Sequence, residues 1–164
     1  LATYLDDQVR AGTIRAWGIA GELPPSGSDA HRLLAAATVI QQRDDVFEGA
    51  PRIVPDKAVI TFGCLSRALP ALLDYLGDHP DAAIRWSEQA GMDVREDGTL
   101  AELLLREAVR RNPLGVVLFS TTRPDRGPAA VRAVEGSEDP AEALAIRAIV
   151  DEVTQRRDPH ERLA

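Results

Sequence analysis

The sequence predicts an α/β domain in which helices cover a sheet of parallel strands. Short apolar runs without polar alternation recur along the chain, and a segment with helical spacing of its apolar residues follows three of the four. Strands of this kind are typical of parallel sheets that are buried on both faces. No Asn-Gly hairpin signal separates the runs. A doubly wound sheet and a (β/α)8 barrel both fit this pattern, and in either fold ligands bind at the carboxyl ends of the strands.

Four strands are predicted from short runs of β-branched and other apolar residues. Turn-forming residues bound these runs: a Pro-Pro-Ser-Gly cluster at 24–27 follows the first, and a polar loop at 43–57 follows the second. The predicted strands cover residues 13–19, 38–42, 58–62 and 116–119.

Helices are predicted before the first strand and after the first, third and fourth strands, from apolar residues at helical spacing. Gly12 is a C-terminal cap, whereas Ser28-Asp29 and Thr99 are expected N-caps, and Pro80 suits a first helical turn. The predicted helices are residues 1–10, one carrying Leu33 and Leu34, one carrying Leu69 to Leu76, one from Pro80, one from Thr99, one over about 124–134, and one opening at Asp139-Pro140.

Length and composition indicate one globular domain and exclude several classes of protein. The chain has 164 residues, of which 45% are hydrophobic and 27% are charged. A net charge of −7 argues against a broad surface for nucleic acid or for a membrane, although it leaves room for one local basic pocket. The single cysteine, Cys64, excludes an internal disulfide and a multi-cysteine metal site, so a cytoplasmic setting is the default expectation.

The end of the last predicted strand carries an unusual cluster of polar residues. The apolar run Val116–Phe119 stops at Ser120-Thr121-Thr122, and Arg123-Pro124-Asp125-Arg126 follows immediately before a predicted helix. One interpretation is an exposed helix start with incidental charge. The other is a site for an anionic group, bound by hydroxyls, arginines and the N-terminus of the helix.

Three segments, taken in order, resemble the aldo/keto reductase family. LDDQVRAGTIRAWGIAG, residues 5–21, resembles the family's helix, glycine and strand that ends in Gly-Val-Ser-Asn. VITFGCLSRAL, residues 59–69, resembles the strand that ends in Tyr-Ser-Pro-Leu-Gly. LLLREAVRRNPLGVVLFSTTRPDR, residues 103–126, resembles the closing segment before the coenzyme-phosphate loop. The resemblance implies a (β/α)8 TIM barrel that transfers hydride from NADPH to aldehydes and ketones.

Mapped onto this family, the chain supplies only the C-terminal half of the barrel. Residues 1–136 correspond to about four βα units, and residues 137–164 to a C-terminal helix and tail. The family's catalytic Asp, Tyr, Lys and His come from the first half, so no catalytic residue is assigned here and the chain alone is expected to be inactive. Because the only methionine is Met92, we expect that the chain is either processed or part of a longer protein.

The resemblance assigns four residues to the nicotinamide and pyrophosphate end of NADP(H). Phe62 corresponds to the aromatic residue that stacks on the nicotinamide, where a flat ring excludes water and orients the reacting face. Gln41 corresponds to the glutamine that holds the carboxamide. Gly63 and Leu65 correspond to residues beside the pyrophosphate.

Three further residues are assigned to the adenosine end of the coenzyme by the same resemblance. Ser120 and Thr121 begin the loop at the adenosine phosphate. Arg126 corresponds to the arginine that pairs with the 2′-phosphate, a role suited to a guanidinium group. Pro124 begins the helix whose N-terminus faces that phosphate.

Several positions depart from the family's pattern. Ala20-Gly21 replaces the usual Ser-Asn pair, which removes two side-chain contacts to the carboxamide. Cys64 stands in place of proline, Ser120 in place of the lysine of many members, and Ala129-Ala130 in place of Glu and Asn near the adenine. These departures favour a second hypothesis, in which the chain is a non-catalytic binding or regulatory subunit on a reductase-derived fold.

Other polar residues are interpreted structurally, and no metal site is predicted. Arg43-Asp44-Asp45 is interpreted as part of a solvated loop rather than as a carboxylate pair or metal site. Cys64 is interpreted as a small buried hydrophobe, since no histidine is placed to activate it. The arginines on one face of the helix after Thr99 are also expected to be solvated: Arg106, Arg110 and Arg111.

A half-barrel exposes strand edges that a complete barrel pairs. We therefore expect the isolated chain to be unstable, to associate with itself, or to need the missing N-terminal half. A small carbonyl compound is the substrate class that the resemblance implies for the full protein, with no nucleic acid and no membrane as partners.

Overall fold

The structure is a computed structural model and describes residues 1–21, 29–135 and 139–156. The expected helix cap at Ser28, the loop at 24–27 and the end of the tail lie outside these ranges. The elements are α1 (Ala2–Arg10), β1 (Gly18–Ala20), α2 (Asp29–Ala36), β2 (Val39–Arg43), β3 (Ala58–Phe62), α3 (Ala68–Asp78), α4 (Ala82–Ala90), α5 (Thr99–Arg111), β4 (Val116–Leu118), α6 (Arg126–Glu135) and α7 (Pro140–Arg156).

The four strands form one parallel sheet in the order β1-β2-β3-β4. Ala20, Gln41, Ile60 and Val116 lie in register across it. The prediction of an α/β chain with a parallel sheet is therefore confirmed, and in the described residues this sheet is open.

The two faces of the sheet differ in burial, so the prediction that the strands are buried on both faces is wrong. Ile40, Gln42, Val59 and Thr61 point to the face that the helices cover, and all four are buried. Residues that alternate with them point to the other face, where Leu118 is 44% exposed. The strands lack polar alternation because both faces carry apolar residues, although no described element covers the second face.

The buried side chain of Asn112, directly after α5, joins this helix to β3 and β4. The Nδ2 of Asn112 donates hydrogen bonds to the carbonyl oxygens of Val59 and Val116, at 3.3 Å each, and contacts the Thr61 hydroxyl at 3.4 Å. Gly115 follows at the start of β4, so close to β3 that an added Cβ would overlap the Val59 carbonyl oxygen. The Asn-Pro-Leu-Gly segment thus fixes where β4 enters the sheet.

The main core lies among α3, α4, α5 and α7. Trp86 is fully buried at its centre, together with Leu103, Leu104 and Ile149. Glu152 closes this core on one side: its Oε2 accepts a hydrogen bond from the Trp86 indole at 3.0 Å. The C-terminal helix α7 is therefore an integral part of the packing.

Several predicted boundaries shift in the structure. β1 begins at Gly18 rather than at residue 13, because residues 13–17 form a turn and an irregular connection. The prediction that Thr99 caps α5 is wrong: Gly98 is the N-cap residue, at φ 96°, and no side chain caps the helix. This left-handed conformation suits glycine, which has no Cβ to clash. Among the described helices, none combines the length and the hydropathy that crossing a bilayer requires.

Substitution of Gly115 is expected to destabilise the fold, whereas the same change at Gly77 is expected to stabilise it. In Gly115→Ala the new methyl group overlaps Val59 and Asn112, an overpacking that costs about 1–3 kcal/mol. Gly77 lies inside α3 with open space around it, so Gly77→Ala should gain about 0.5–1 kcal/mol of helix propensity. Urea unfolding of both variants tests this, and equal effects of one sign would contradict it.

Candidate functional site

Two adjoining depressions lie at the carboxyl ends of β2, β3 and β4. The first, here called the sheet groove, has a volume of about 730 Å³. Its lining includes five of the residues singled out from the sequence: Gln41, Phe62, Gly63, Leu65 and Ser120. It runs over the uncovered face of the sheet, where Gln41, Phe62 and Leu118 point.

The second depression, here called the arginine pocket, has a volume of about 220 Å³ and lies between the N-terminal ends of α5 and α6. Leu65, Ser120, Thr121 and Arg126 line it. Leu65, Phe119 and Ser120 line both depressions, so the two lie side by side. The structure therefore brings all seven sequence-predicted residues to one end of the sheet.

The turn after β3 explains why Gly63 and Leu65 lie at this end. Gly63 adopts φ 85°, a conformation that residues with a side chain rarely take. Its carbonyl oxygen accepts hydrogen bonds from the Ser66 amide at 3.1 Å and from the Ser66 hydroxyl at 2.9 Å. The chain thereby turns tightly into α3 and leaves Leu65 between the groove and the pocket.

The loop after β4 is ordered by its own hydroxyl. The Thr121 Oγ1 accepts a hydrogen bond from the Arg123 amide at 3.1 Å, and the Arg126 amide donates to the Arg123 carbonyl oxygen at 3.1 Å. This local winding starts α6 at Arg126, two residues later than the sequence predicts, and leaves Pro124 in the preceding turn. Arg123 and Arg126 both reach the arginine pocket as a result.

The floor of the arginine pocket is apolar and its rim is charged. Leu105 and Ala130 contribute to the floor with Phe119, and these residues belong to a small cluster in which α5 and α6 pack on β4. On the rim, Arg126 Nη2 lies 3.5 Å from Asp97 Oδ1, and Arg123 Nη1 lies 3.8 Å from Asp97 Oδ2. A flat apolar group above the floor and an anionic group at the rim would both find partners here.

The aromatic ring of Phe62 already has a cationic neighbour. The guanidinium carbon of Arg43 lies 5.8 Å from the ring centroid, within cation–π range. A planar ligand that stacks on Phe62 would have to displace Arg43 or share the ring with it. Arg43 was assigned to a solvated loop from the sequence, whereas it is the last residue of β2.

The prediction that Asp44 and Asp45 belong to a solvated loop is wrong. Asp44 is 2% exposed and Asp45 is 1% exposed. Asp45 accepts hydrogen bonds from the Phe47 amide at 3.0 Å and from Arg67 Nε at 2.7 Å. The charged partner of Asp45 is not evident from local sequence, because Arg67 follows it by 22 residues.

Arg111, also predicted to be solvated, lies beside these carboxylates with its side chain only 10% exposed. Its Nη2 lies 3.1 Å from Asp44 Oδ1, and its guanidinium donates hydrogen bonds to the carbonyl oxygens of Asp45 and Gly49. Neither Asp44 oxygen accepts a hydrogen bond of good geometry, so this pair is held by charge. Burial raises the pKa of Asp44, and the positive charge of Arg111 opposes that rise.

The other two arginines of this helix face, Arg106 and Arg110, also pair with acids rather than point into solvent. Arg106 Nη1 lies 2.6 Å from Glu142 of α7, and Arg110 Nε lies 3.1 Å from Glu107. The face that the sequence suggested to be solvated is therefore the contact between α5 and its neighbours. These arginines stabilise the scaffold of the site and do not line it.

Cys64 is buried, as the sequence analysis expected, and it is a poor nucleophile. Burial raises the pKa of its thiol to about 11, and the nearby negative charge of Asp44 acts in the same direction. The thiolate that nucleophilic chemistry needs is therefore scarce at neutral pH. Within the described residues, no group of three or more His, Cys, Asp and Glu side chains could hold a metal ion.

Lysine, tyrosine and histidine side chains have structural contacts in this chain. Lys57 Nζ donates to the carbonyl oxygen of Ala35, near the end of α2. Tyr75 donates to Glu152 and stacks between His79 and Trp86. These contacts lie away from both depressions.

The sequence analysis missed Asp97 as a residue of the site. Asp97 precedes the glycine that begins α5, and it meets Arg126 only because α5 and α6 pack side by side. The available signal was the Asp97-Gly98 pair, which indicates a turn but not its partner.

Comparisons with known proteins give no family for this chain: no family model, no curated protein and no solved structure matches it. The two depressions are therefore interpreted from their own geometry and from the resemblance of the sequence segments.

Loss of Arg111 is expected to destabilise the protein strongly. Arg111→Met leaves the carboxylate of Asp44 buried without its counter-charge, which costs about 3–5 kcal/mol. Arg147→Met is the matched control, because Arg147 is 68% exposed and lies 3.9 Å from Glu107, so its loss should change stability by less than about 0.5 kcal/mol. Chemical denaturation of both variants measures the difference, and a mild effect of Arg111→Met would argue against the buried pair.

The buried thiol predicts a loss of stability at alkaline pH. In the unfolded chain Cys64 ionises near its ordinary pKa of 9.0, whereas in the folded chain it stays protonated up to about 11. Ionisation of Cys64 therefore leaves the free energy of unfolding unchanged below pH 9. As the pH rises towards 11, the free energy of unfolding falls by up to about 2 kcal/mol. Urea unfolding between these pH values should show a smaller decline for Cys64→Ala than for the unaltered chain. Parallel declines would mean that another group is responsible.

Proposed function

We propose that this chain is the coenzyme-binding, C-terminal half of an NADP(H)-dependent reductase barrel of the aldo/keto reductase type. The observation that carries the proposal is the convergence of seven residues. Gln41, Phe62, Gly63 and Leu65 come from two strand ends, whereas Ser120, Thr121 and Arg126 come from the loop and helix after β4. All of them line two adjoining depressions. The family resemblance assigns these residues to the coenzyme from the sequence alone.

The chemistry of the two depressions suits the two ends of a dinucleotide. The arginine pocket combines an apolar floor with two guanidinium groups, which fits an adenine ring and a ribose phosphate. The sheet groove offers Phe62 as a wall for a nicotinamide ring and Gln41 as a partner for its carboxamide. Gly63 lets the backbone approach a pyrophosphate between them.

The architecture supports a half-barrel as the finer description of the fold. Four parallel strands in consecutive order, with helices on one face, match one half of a (β/α)8 barrel. In such a barrel the uncovered face of the sheet would become the interior, and β1 and β4 would each pair with a further strand. The partner that this proposal requires is an N-terminal half, or a second copy of the chain in self-association.

Bound NADPH supplies the hydride for reduction of a small aldehyde or ketone in this type of reaction. The residues of this chain would bind and orient the coenzyme: Arg126 at the phosphate, Phe62 at the nicotinamide and Gln41 at the carboxamide. The proton donor and its neighbours would come from the other half, so the chain alone would be inactive. A cytoplasmic setting belongs to the same proposal.

A second candidate function is a non-catalytic binding or regulatory role on the same fold. Two observations favour it: Ala20-Gly21 offers no side-chain hydrogen bond to a carboxamide, and Arg43 already occupies the neighbourhood of the Phe62 ring. In this case the arginine pocket would bind a nucleotide, while the sheet groove would not position a nicotinamide for reaction.

Calorimetric titration of the chain with NADPH tests the coenzyme site. Arg126→Ala should weaken binding by about tenfold or more, because it removes a charge-assisted contact to phosphate. Arg132→Ala is the matched control, since Arg132 is an exposed arginine of the same helix that does not line the pocket. The control should bind like the unaltered chain.

The titration also separates the alternatives. NADPH binding with no reductase activity after an aldo/keto reductase N-terminal half is added would favour the non-catalytic role. Failure to bind NADPH both alone and with that half would overturn the coenzyme proposal.

A further inference from the structure

The arginine pocket contains an acidic residue that sits where a bound anion would sit. Asp97 spans the two arginines: one carboxylate oxygen lies 3.5 Å from Arg126 Nη2 and the other lies 3.8 Å from Arg123 Nη1. The carboxylate is thus an internal anion for this pair of guanidinium groups.

The contacts of Asp97 are loose in comparison with other ion pairs of the same chain. Arg106 and Glu142 approach to 2.6 Å, and Arg67 and Asp45 approach to 2.7 Å, whereas both Asp97 distances are 3.5 Å or more. The Asp97 side chain is also 79% exposed. Exposed ion pairs of this kind contribute little, so a competing ligand could displace Asp97.

The pocket as a whole is not positively charged. Its lining holds two arginines, Arg123 and Arg126, and three carboxylates, Asp97, Glu102 and Asp125. The two positive charges and three negative charges sum to −1. A phosphate dianion would therefore meet two cationic partners and a net negative charge. Asp97 is the carboxylate that reaches both arginines, whereas Asp125 lies 3.3 Å from Arg123 on the same loop.

A ribose without a phosphate would meet the same pocket differently. Ribose hydroxyls can donate hydrogen bonds to a carboxylate, and an acidic residue at the adenosine ribose is the usual way in which dinucleotide sites accept a free 2′-hydroxyl. Arginine at the same place accommodates a 2′-phosphate. The arginine pocket holds both kinds of partner in mutual contact.

We propose that Asp97 determines the ligand preference of the arginine pocket by competing with phosphate for Arg123 and Arg126. The pocket then accepts adenine dinucleotides with and without a 2′-phosphate at similar affinity, instead of selecting the phosphorylated form. This inference rests on the proposed coenzyme function. It adds that Asp97 sets the preference between the two kinds of dinucleotide.

The experiment compares NADPH and NADH on the whole chain, in the unaltered form and in three variants. We expect the two dissociation constants of the unaltered chain to lie within about threefold of each other. Asp97→Asn should favour NADPH over NADH by about a further tenfold, because the internal anion is lost while its size is kept. Arg126→Ala should weaken NADPH binding and leave NADH binding nearly unchanged.

Glu102→Gln is the matched control for charge. Glu102 lines the same pocket and carries the same charge, but its ion pair is with Arg106, at 3.8 Å. It should change the NADPH to NADH ratio by less than about twofold, whereas an effect equal to that of Asp97→Asn would mean that overall charge decides and would overturn the inference. Thermal unfolding of each variant checks that the fold is retained.

The remaining outcomes distinguish this inference from the coenzyme proposal. In one outcome NADPH binding depends on Arg126, but Asp97→Asn keeps the NADPH to NADH ratio of the unaltered chain. That result would overturn the role of Asp97 and leave the coenzyme site intact. Absence of binding of both dinucleotides to the unaltered chain and to Asp97→Asn, alone and with the added N-terminal half, would overturn both.

Discussion

The position of α5 is the constraint on which the site depends. At its C-terminal end, Asn112 donates to the carbonyl oxygens of β3 and β4, and Arg111 is buried against the loop after β2. At its N-terminal end, Asp97 meets the arginines of the loop after β4. A single helix of 13 residues, with the residues that flank it, therefore links β3 and β4 to the loops after β2 and β4. A shift of α5 along its axis would disturb the entry of β4 and the arginine pocket together.

An aspartate and an arginine form an ion pair at two places in this chain, and the two pairs differ in their consequences. Asp44 is buried and the Arg111 side chain is only 10% exposed, so the cost of removing one partner is high and the pair stabilises one arrangement of the loop after β2. At the mouth of the arginine pocket the Asp97 side chain is 79% exposed and that of Arg126 is 38% exposed, so water screens them and a ligand can replace the carboxylate. Burial, rather than the identity of the residues, separates a structural ion pair from one that could respond to a ligand.

The uncovered face of the sheet connects the architecture to the proposed function. Val116 is 53% exposed and Leu118 is 44% exposed on that face, and the sheet groove lies over its carboxyl end. Apolar side chains at half exposure leave hydrophobic surface that a second layer would bury. The proposed half-barrel would account for the order of the strands, the one-sided cover of helices and the location of the groove by a single arrangement.

The sequence by itself determined the elements of this protein. Apolar spacing predicted the α/β class, the parallel sheet and the residues of β3, because these depend on patterns within short segments. It also predicted that Ser120, Thr121 and Arg126 follow a strand end, where parallel sheets bind ligands. Only the tertiary structure decided which side of the sheet is covered, since both faces carry apolar residues.

Tertiary contacts alone also decide the partners and the burial of the charged side chains. Asp45 and Arg67 are 22 residues apart and Asp97 and Arg126 are 29 apart, so no local pattern predicts that they meet. Whether an aspartate is buried, as Asp44 is, or faces a pocket, as Asp97 does, depends on which helices pack beside it. Local sequence determines secondary structure through backbone preference and periodicity, whereas the environment of a charge is determined by residues that are distant along the chain.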